Sequence, residues 1–163
     1  MSNSETDHQT ASDIARGTER LLKDMGWTAI REFSLTNGRR VDIAALAKDG
    51  SLHFIEIKSS LADFRSDQKW PEYLEYCDSF AFAVAPDFPR DVLPSQHGLY
   101  IADRYGAEQL RPDAMVKKLD AARRKAVTLR FARVASSRLM NLGDAGDETS
   151  ERANHSLPGE ELL

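Results

Sequence analysis

Residues 80–84 of this chain form a continuous apolar run with two large aromatic side chains, Phe80-Ala81-Phe82-Ala83-Val84. A strand with one face in water alternates apolar and polar residues, so a continuous apolar run predicts a strand that is buried on both faces. We place this strand at Ser79 to Ala85. It follows a predicted helix near Trp70-Pro71, because proline suits the first turn of a helix. A buried strand that follows a helix predicts a central, parallel-paired position in an α/β sheet.

Apolar periodicity and turn residues predict the other elements. In chain order we expect a helix over 13–25, strands over 27–35, 40–47 and 52–58, a helical turn over 61–64, the helix near 70, the strand over 79–85, strands over 98–103 and 107–110, and a long amphipathic helix over 113–141. The order αβββαββα predicts a mixed central sheet flanked by helices.

The length of 163 residues, with 41% hydrophobic and 29% charged residues, predicts a single domain, which we place at 13–142. Residues 1–12 are predicted to be a disordered tail, and 143–163 an acidic disordered tail. No apolar run approaches the length of about 20 residues that a membrane span needs, and no signal peptide is visible. Because Cys77 is the one cysteine, an internal disulfide and a multi-cysteine zinc site are excluded. We therefore expect a cytoplasmic protein without membrane contact.

Basic residues are concentrated in one segment, although the whole chain has a net charge of −4. Residues 117–138 contain eight Lys or Arg against a single acid, Asp120. Such a segment is typical of polyanion binding, and the alternative is a solvated helix whose side-chain stems cover the core. We predict that DNA backbone contacts come from Arg123, Arg124, Lys125, Arg130 and Arg133. For the acidic tail two roles are open, competition with DNA for the basic segment and contact with a repair-protein partner.

Three ionisable residues lie in strands that are otherwise apolar. Glu56 and Lys58 are two residues apart in one strand, so their side chains point to the same face. The segment Lys48-Asp49-Gly50-Ser51 predicts a hairpin turn that brings Asp42, on the preceding strand, near Glu56. The pattern indicates a Mg²⁺ site with an adjacent cation, and the alternative is a structural ion pair at a strand end.

This pattern resembles the PD-(D/E)XK nuclease superfamily. Val41-Asp42 is followed after thirteen residues by Glu56-Ile57-Lys58, with Val41 in the place of the superfamily's proline. More narrowly, the chain resembles the MmcB-like family of bacterial DNA-repair proteins. The segments that carry this narrower resemblance are Glu56-Ile57-Lys58-Ser59-Ser60, Asp67-Gln68-Lys69-Trp70-Pro71-Glu72-Tyr73, Cys77-Asp78 and Ala121-Ala122-Arg123-Arg124-Lys125-Ala126. The resemblance implies a restriction-endonuclease-like fold and a role in DNA repair.

The resemblance also implies roles for individual residues. Asp42, Glu56 and the carbonyl of Ile57 would bind Mg²⁺ or Mn²⁺, and Lys58 would orient the attacking water and stabilise phosphoryl charge. An acid from the first helix often completes such sites, and Glu19 is the candidate here. A surface position for Glu19 is the alternative.

Residues after the Glu-X-Lys strand are further candidates. Lys69 and Tyr73 have the i, i+4 spacing of one helix face, so Lys69 is predicted to contact a phosphate beside the metal. Asp63 and Asp67 are close enough in sequence to join the site or to cap a helix, and capping is favoured for Asp67. Trp70 and Tyr73 are expected in the core or in a stacking platform.

Together these features predict a Mg²⁺-dependent, phosphodiester-cleaving DNA-repair nuclease with little sequence specificity. The alternative is a non-catalytic module that binds DNA or a protein partner and retains the nuclease fold.

Overall fold

The computed structural model describes residues 9–154, with side chains through residue 146. The chain divides into two compact units after Lys125. In chain order the elements are α1 (Ala11–Asp24), β1 (Thr28–Ser34), β2 (Arg40–Leu46), β3 (Leu52–Lys58), α2 (Leu61–Ser66), a 3₁₀ helix (Trp70–Tyr76), β4 (Ser79–Val84), a 3₁₀ turn (Arg90–Val92), β5 (Gly98–Ala102), β6 (Ala107–Arg111), β7 (Ala114–Met115) and α3 (Ala121–Asn154).

One mixed sheet contains the seven strands of the described residues, in the order β1-β2-β3-β4-β5-β6, with β7 paired to β4. The pairs β3–β4 and β4–β5 are parallel, and the other pairs are antiparallel. All six residues of β4 are buried, which confirms the central strand predicted from the apolar run. The predicted mixed α/β sheet flanked by helices is also confirmed, and it is consistent with a restriction-endonuclease-like fold.

The two faces of the sheet bury different residues. On one face, α1 packs Ile14 and Leu22 against alternate residues of the central strands, among them Ile55 and Ile57. We call this the α1 face. The opposite face is aromatic, and Trp70 stacks on Phe80 with ring centroids 5.4 Å apart. The 3₁₀ helix therefore covers the face of the sheet that α1 leaves open.

Several elements differ from the predictions in their bounds or in their type. The helix α1 begins two residues early because Thr10 caps it, accepting a hydrogen bond from the Asp13 N–H. The segment that begins at Trp70 is a 3₁₀ helix rather than an α-helix; it has no side-chain cap, and proline lies in its first turn. The long helix begins at Ala121 rather than at residue 113, because Ala114–Met115 pair with β4 as a strand.

The helix α3 also continues beyond the predicted end at 141, and its backbone is helical to Asn154. Residues 1–8 and 155–163 of the predicted tails lie outside the described residues. The assignment of 13–142 as one domain between disordered tails stays a prediction. No helix in the described part of the chain is both long enough and apolar enough to span a membrane.

Candidate active site

A pocket of about 490 Å³ opens at the end of β3, on the face opposite α1. It is lined by Ser34, Gly38, Arg39, Arg40, Asp42, Glu56, Asp67, Lys69 and Tyr73. The pocket forms because β2 and β3 are paired only from Ile43↔Ile55 to Leu46↔Leu52. At Asp42 the two strands part, and the gap between them is lined by acidic side chains.

Where β2 and β3 separate, the side chain of Asp42 takes the place of a backbone carbonyl as a hydrogen-bond acceptor. Its Oδ2 accepts a hydrogen bond of 2.8 Å from the N–H of Ile57, so it satisfies a donor that the missing ladder would leave unpaired. In an extended strand the N–H and C=O of one residue point to the same side. The Ile57 carbonyl, predicted as a metal ligand, therefore faces the strand edge where Asp42 lies.

Glu56 is a buried acid with one unused oxygen. Its side chain is 4% exposed, and Oε2 makes no hydrogen bond to any described residue. Burial and the nearby charge of Asp42 raise the pKa of Glu56 to about 8. Burial likewise raises the pKa of Asp42, against the hydrogen bond from Ile57. Without a cation, these two carboxyl groups therefore share a site that disfavours their joint ionisation.

Lys58 lies behind this pair, between two acids. Its Nζ donates hydrogen bonds to Glu56 Oε1 at 3.2 Å and to Asp67 Oδ2 at 2.9 Å. Burial works against its charged form, but the hydrogen bond to Asp67 and the neighbouring carboxylate charges prevail and raise the pKa of Lys58. The predicted acid–base pair is thus present, and a second acid holds the ammonium in place.

The donors around the pocket suit a divalent cation that prefers oxygen. Within the described ranges, no cluster of three or more His, Cys, Asp or Glu has the spacing of a metal site. Two carboxylates and the Ile57 carbonyl remain as candidate ligands. This small set matches Mg²⁺, which usually keeps several waters and binds through one or two carboxylates. The unused, buried Glu56 Oε2 is the atom such an ion would satisfy.

The rim of the pocket contains residues that the sequence analysis did not assign to the site. Asp67 was predicted to join the site or to cap a helix, with capping favoured; it accepts a hydrogen bond from the Lys69 N–H, but the 3₁₀ helix that follows has no side-chain cap. Asp67 also binds Lys58, however, so it belongs to the site. Tyr73 was expected in the core and is buried, yet it lines the pocket. Arg39 follows the Asn37-Gly38 turn and Arg40 begins β2, and their position just before Asp42 was the signal that could have found them.

Lys69 lies at the pocket, whereas Asp63 lies at the start of α2. Lys69 is exposed and lines the pocket beside Tyr73, in agreement with the predicted spacing. Asp63 closes the start of α2, where its Oδ2 accepts from the Ser59 N–H and its own N–H donates to Ser60. It is therefore a capping residue.

Glu19 is not brought to the pocket, contrary to its prediction as an acid that completes the site. Both of its oxygens accept hydrogen bonds from Arg31, at 2.7 and 2.6 Å. Arg31 lies opposite Ile43 in the β1–β2 register, so this ion pair lies on the α1 face, whereas Glu56 points away from it. The alternative reading, in which Glu19 has a structural place on the helix, describes its position.

The residues predicted to contact DNA all lie in α3. Arg124 donates two hydrogen bonds to Asp78, at 2.8 and 2.6 Å, and a third to the Gly50 carbonyl. The Arg124 guanidinium therefore has a structural role, in which it joins Asp78 and Gly50. Arg123 lies over the ring of Tyr76 at 4.6 Å. Of the others in the set, Lys125 and Arg133 are exposed and Arg130 is half-buried.

Comparisons with known proteins agree with this architecture. The model of the MmcB-like DNA repair protein family matches residues 2–146, and the chain therefore belongs to that family. Among solved structures, the SPO1766 protein of unknown function from Silicibacter pomeroyi is 43% identical, with a TM-score of 0.79. That likeness covers 86% of this chain and 95% of the other. No protein with a curated description matches significantly. Family membership supports a role in DNA repair.

Proposed function

We propose that this protein is a Mg²⁺- or Mn²⁺-dependent nuclease that cleaves phosphodiester bonds of DNA with little sequence specificity. The observation that carries the proposal is the buried carboxyl pair of Asp42 and Glu56, which borders an open pocket and leaves Glu56 Oε2 without a partner. A buried carboxylate oxygen without a hydrogen bond is costly, and a bound cation would supply the partner that the ion pair with Lys58 does not. The arrangement is also the one expected of the PD-(D/E)XK superfamily, which the sequence resembles.

The residues of the pocket divide into three roles under this proposal. Asp42, Glu56 and the Ile57 carbonyl would hold the cation. When bound, the cation supplies Lewis-acid stabilisation of phosphoryl charge and lowers the pKa of a coordinated water. Lys58 fixes the carboxylate of Glu56 through Oε1, so that Oε2 keeps one orientation.

Cations at the rim would orient the substrate. The exposed ammonium of Lys69 lines the pocket and is positioned to contact a phosphate. Arg40 also lines it and pairs with Glu32. Contacts of this kind recognise the backbone and carry no sequence information, which is why we propose little sequence specificity.

The test is a cleavage assay with the full chain on duplex, single-stranded and branched DNA, with Mg²⁺ or Mn²⁺ and with EDTA. We expect cation-dependent cleavage that falls by about 100-fold or more in Asp42→Asn and in Glu56→Gln. Asp87→Asn is the matched control, since Asp87 is exposed and outside the pocket. Each variant is first checked for native circular dichroism.

Direct measurement of Mn²⁺ binding separates the proposal from a non-catalytic module. Calorimetric titration should show Mn²⁺ binding to the wild-type chain and to Asp87→Asn, with binding lost in the Asp42→Asn, Glu56→Gln double variant. Equal Mn²⁺ binding by the wild type and the double variant would show that Asp42 and Glu56 do not form a metal site. Specific Mn²⁺ binding without cleavage of any of these substrates would favour the module that only binds DNA or a partner.

A further inference from the structure

A second pocket, of about 760 Å³, lies at the opposite end of β3 from Lys58. Its lining includes Trp27, Lys48, Asp49, Ser51, His53, Asp78, Lys118 and Arg124, and of its two acids Asp49 accepts from Ser51 and Asp78 from Arg124. We propose that it binds a nucleotide, either free or at an unpaired position in DNA, with the base against Trp27 and the phosphate at Lys48 and Lys118. The site uses none of the residues of the metal pocket, so it goes beyond the proposed nuclease activity.

The aromatic wall of this pocket is held rigidly. The ring of Trp27 lies 4.2 Å from that of His53, centroid to centroid, at an angle of 36°. Both nitrogens of His53 are engaged, Nδ1 with Asp113 Oδ2 at 3.0 Å and Nε2 with Ser51 Oγ at 2.9 Å. The side chain of Asp113 is itself buried and accepts a hydrogen bond from Gln109. The imidazole is therefore fixed at both ends, and the half-buried indole, which contacts both this imidazole and the core, is held in one orientation at the pocket.

The cations of the pocket are not equivalent. Arg124 is neutralised by the bidentate pair with Asp78. Lys48 and Lys118 are exposed, and neither forms an ion pair with a described residue. The stem of Lys48 lies against Gly26, where a methyl group would come within 2.3 Å of its Cε. Gly26 precedes Trp27, so this contact keeps the Lys48 side chain beside the aromatic wall.

A planar ring beside two available ammonium groups selects for a ligand that is both flat and anionic. Base stacking on an aromatic side chain tolerates any sequence, and lysines supply the phosphate contact. A nucleotide combines both features in one small unit. Because the chain belongs to a DNA-repair family, a nucleotide of DNA is the natural occupant.

The first test uses tryptophan fluorescence in EDTA, which removes any contribution from a metal. We titrate the full chain with dTMP and, separately, with an oligo-dT of about ten nucleotides, a length typical of single-strand sites. We expect saturable quenching that is weakened about tenfold or more in the Lys48→Gln, Lys118→Gln double variant. The Arg16→Gln, Arg90→Gln variant changes net charge equally at exposed sites outside the pocket and should bind as the wild type does.

The second test uses fluorescence anisotropy of labelled oligo-dT, again in EDTA. Trp27→Leu should weaken binding about tenfold or more, whereas Trp27→Tyr, which keeps a stacking ring, should retain most of the affinity. The lysine double variant should also show a shallower dependence of affinity on salt.

The outcomes separate the two sources of the nucleotide and the two proposals. Quenching by dTMP identifies a free nucleotide as an occupant, and quenching by oligo-dT alone identifies a nucleotide within a strand. No quenching by either ligand, or equal quenching in the lysine double variant and the wild type, overturns the inference. Glu56→Gln should bind oligo-dT normally in EDTA, so a failure of cleavage and a failure of this site are distinguishable.

Discussion

Replacing Glu56 with glutamine should stabilise the metal-free protein at alkaline pH. The pKa of Glu56 rises from 4.5 to about 8 on folding, because burial and the charge of Asp42 disfavour its ionised form. Between these values the folded state binds more protons than the unfolded state, so the free energy of unfolding falls as pH rises. A glutamine side chain at this position cannot ionise, so the variant escapes that loss.

The size of the effect follows from the shift. One pH unit of pKa change corresponds to 1.36 kcal/mol, which sets an upper limit of about 5 kcal/mol for this group. Because Asp42 and Glu56 titrate as a pair, we expect a smaller gain, of about 2 kcal/mol above pH 8. The gain should shrink to nearly zero at about pH 4, where the carboxyl is protonated in both states.

The assay is urea unfolding in EDTA, followed by far-ultraviolet circular dichroism across this pH range. Glu75→Gln, an exposed residue of the 3₁₀ helix, should change stability by less than about 0.5 kcal/mol at every pH. Adding Mn²⁺ should reverse the ranking, since ligand binding stabilises only a chain that can bind it. A pH-independent difference between Glu56→Gln and the wild type, or a loss of stability at alkaline pH, would show that folding does not raise the pKa of Glu56.

Four further variants test other parts of the structure. Asp78→Asn should lower the free energy of unfolding at neutral pH by about 3 kcal/mol, measured by urea unfolding. Although burial opposes ionisation of Asp78, one guanidinium and two backbone N–H groups hold its pKa at about 2. The wild type should therefore lose this stabilising contribution as the pH falls from 3.8 toward 2. Gly17→Ala should lower the free energy of unfolding by more than about 2 kcal/mol and lower the melting temperature, because the added methyl would come within 2.0 and 2.3 Å of two carbonyl oxygens. In the control Gly146→Ala the added methyl meets nothing within 4 Å, so this variant should stabilise the protein by up to about 1 kcal/mol. Lys58→Met removes the charge that favours ionisation of the neighbouring glutamate, so the pH midpoint of Mn²⁺ binding in calorimetry should rise by about one unit.

The sequence was most informative where burial leaves a periodic pattern. The continuous apolar run identified β4, and the period of two placed Glu56 and Lys58 on one face of β3. The hairpin turn then brought β2 alongside, so that Asp42 and Glu56 line one pocket. These relations are local or joined by short turns, and strand geometry alone fixes them.

The errors concern residues whose neighbours depend on tertiary packing. Periodicity gave α1 an apolar stripe but could not say which face of the sheet the stripe would cover. Because α1 packs on the Ile55 and Ile57 side, Glu19 lies away from the pocket. Asp67 was left between the site and a helix cap, with capping favoured, because its contact with Lys58 reaches across the helix α2 and depends on how that helix packs.

The same geometry that builds the pocket makes the empty site unfavourable. Asp42 replaces a ladder hydrogen bond at Ile57, so it stays near Glu56 whether or not a cation is bound. Lys58, which is held by Asp67, offsets part of the free-energy cost of burying the ionised Glu56 carboxylate, but one buried oxygen of Glu56 stays without a hydrogen bond. A divalent cation would relieve both the repulsion between the carboxylates and the unmet hydrogen-bonding need. Stability without metal and affinity for metal should therefore oppose each other at Glu56, which is why one substitution there is expected to raise the first and abolish the second.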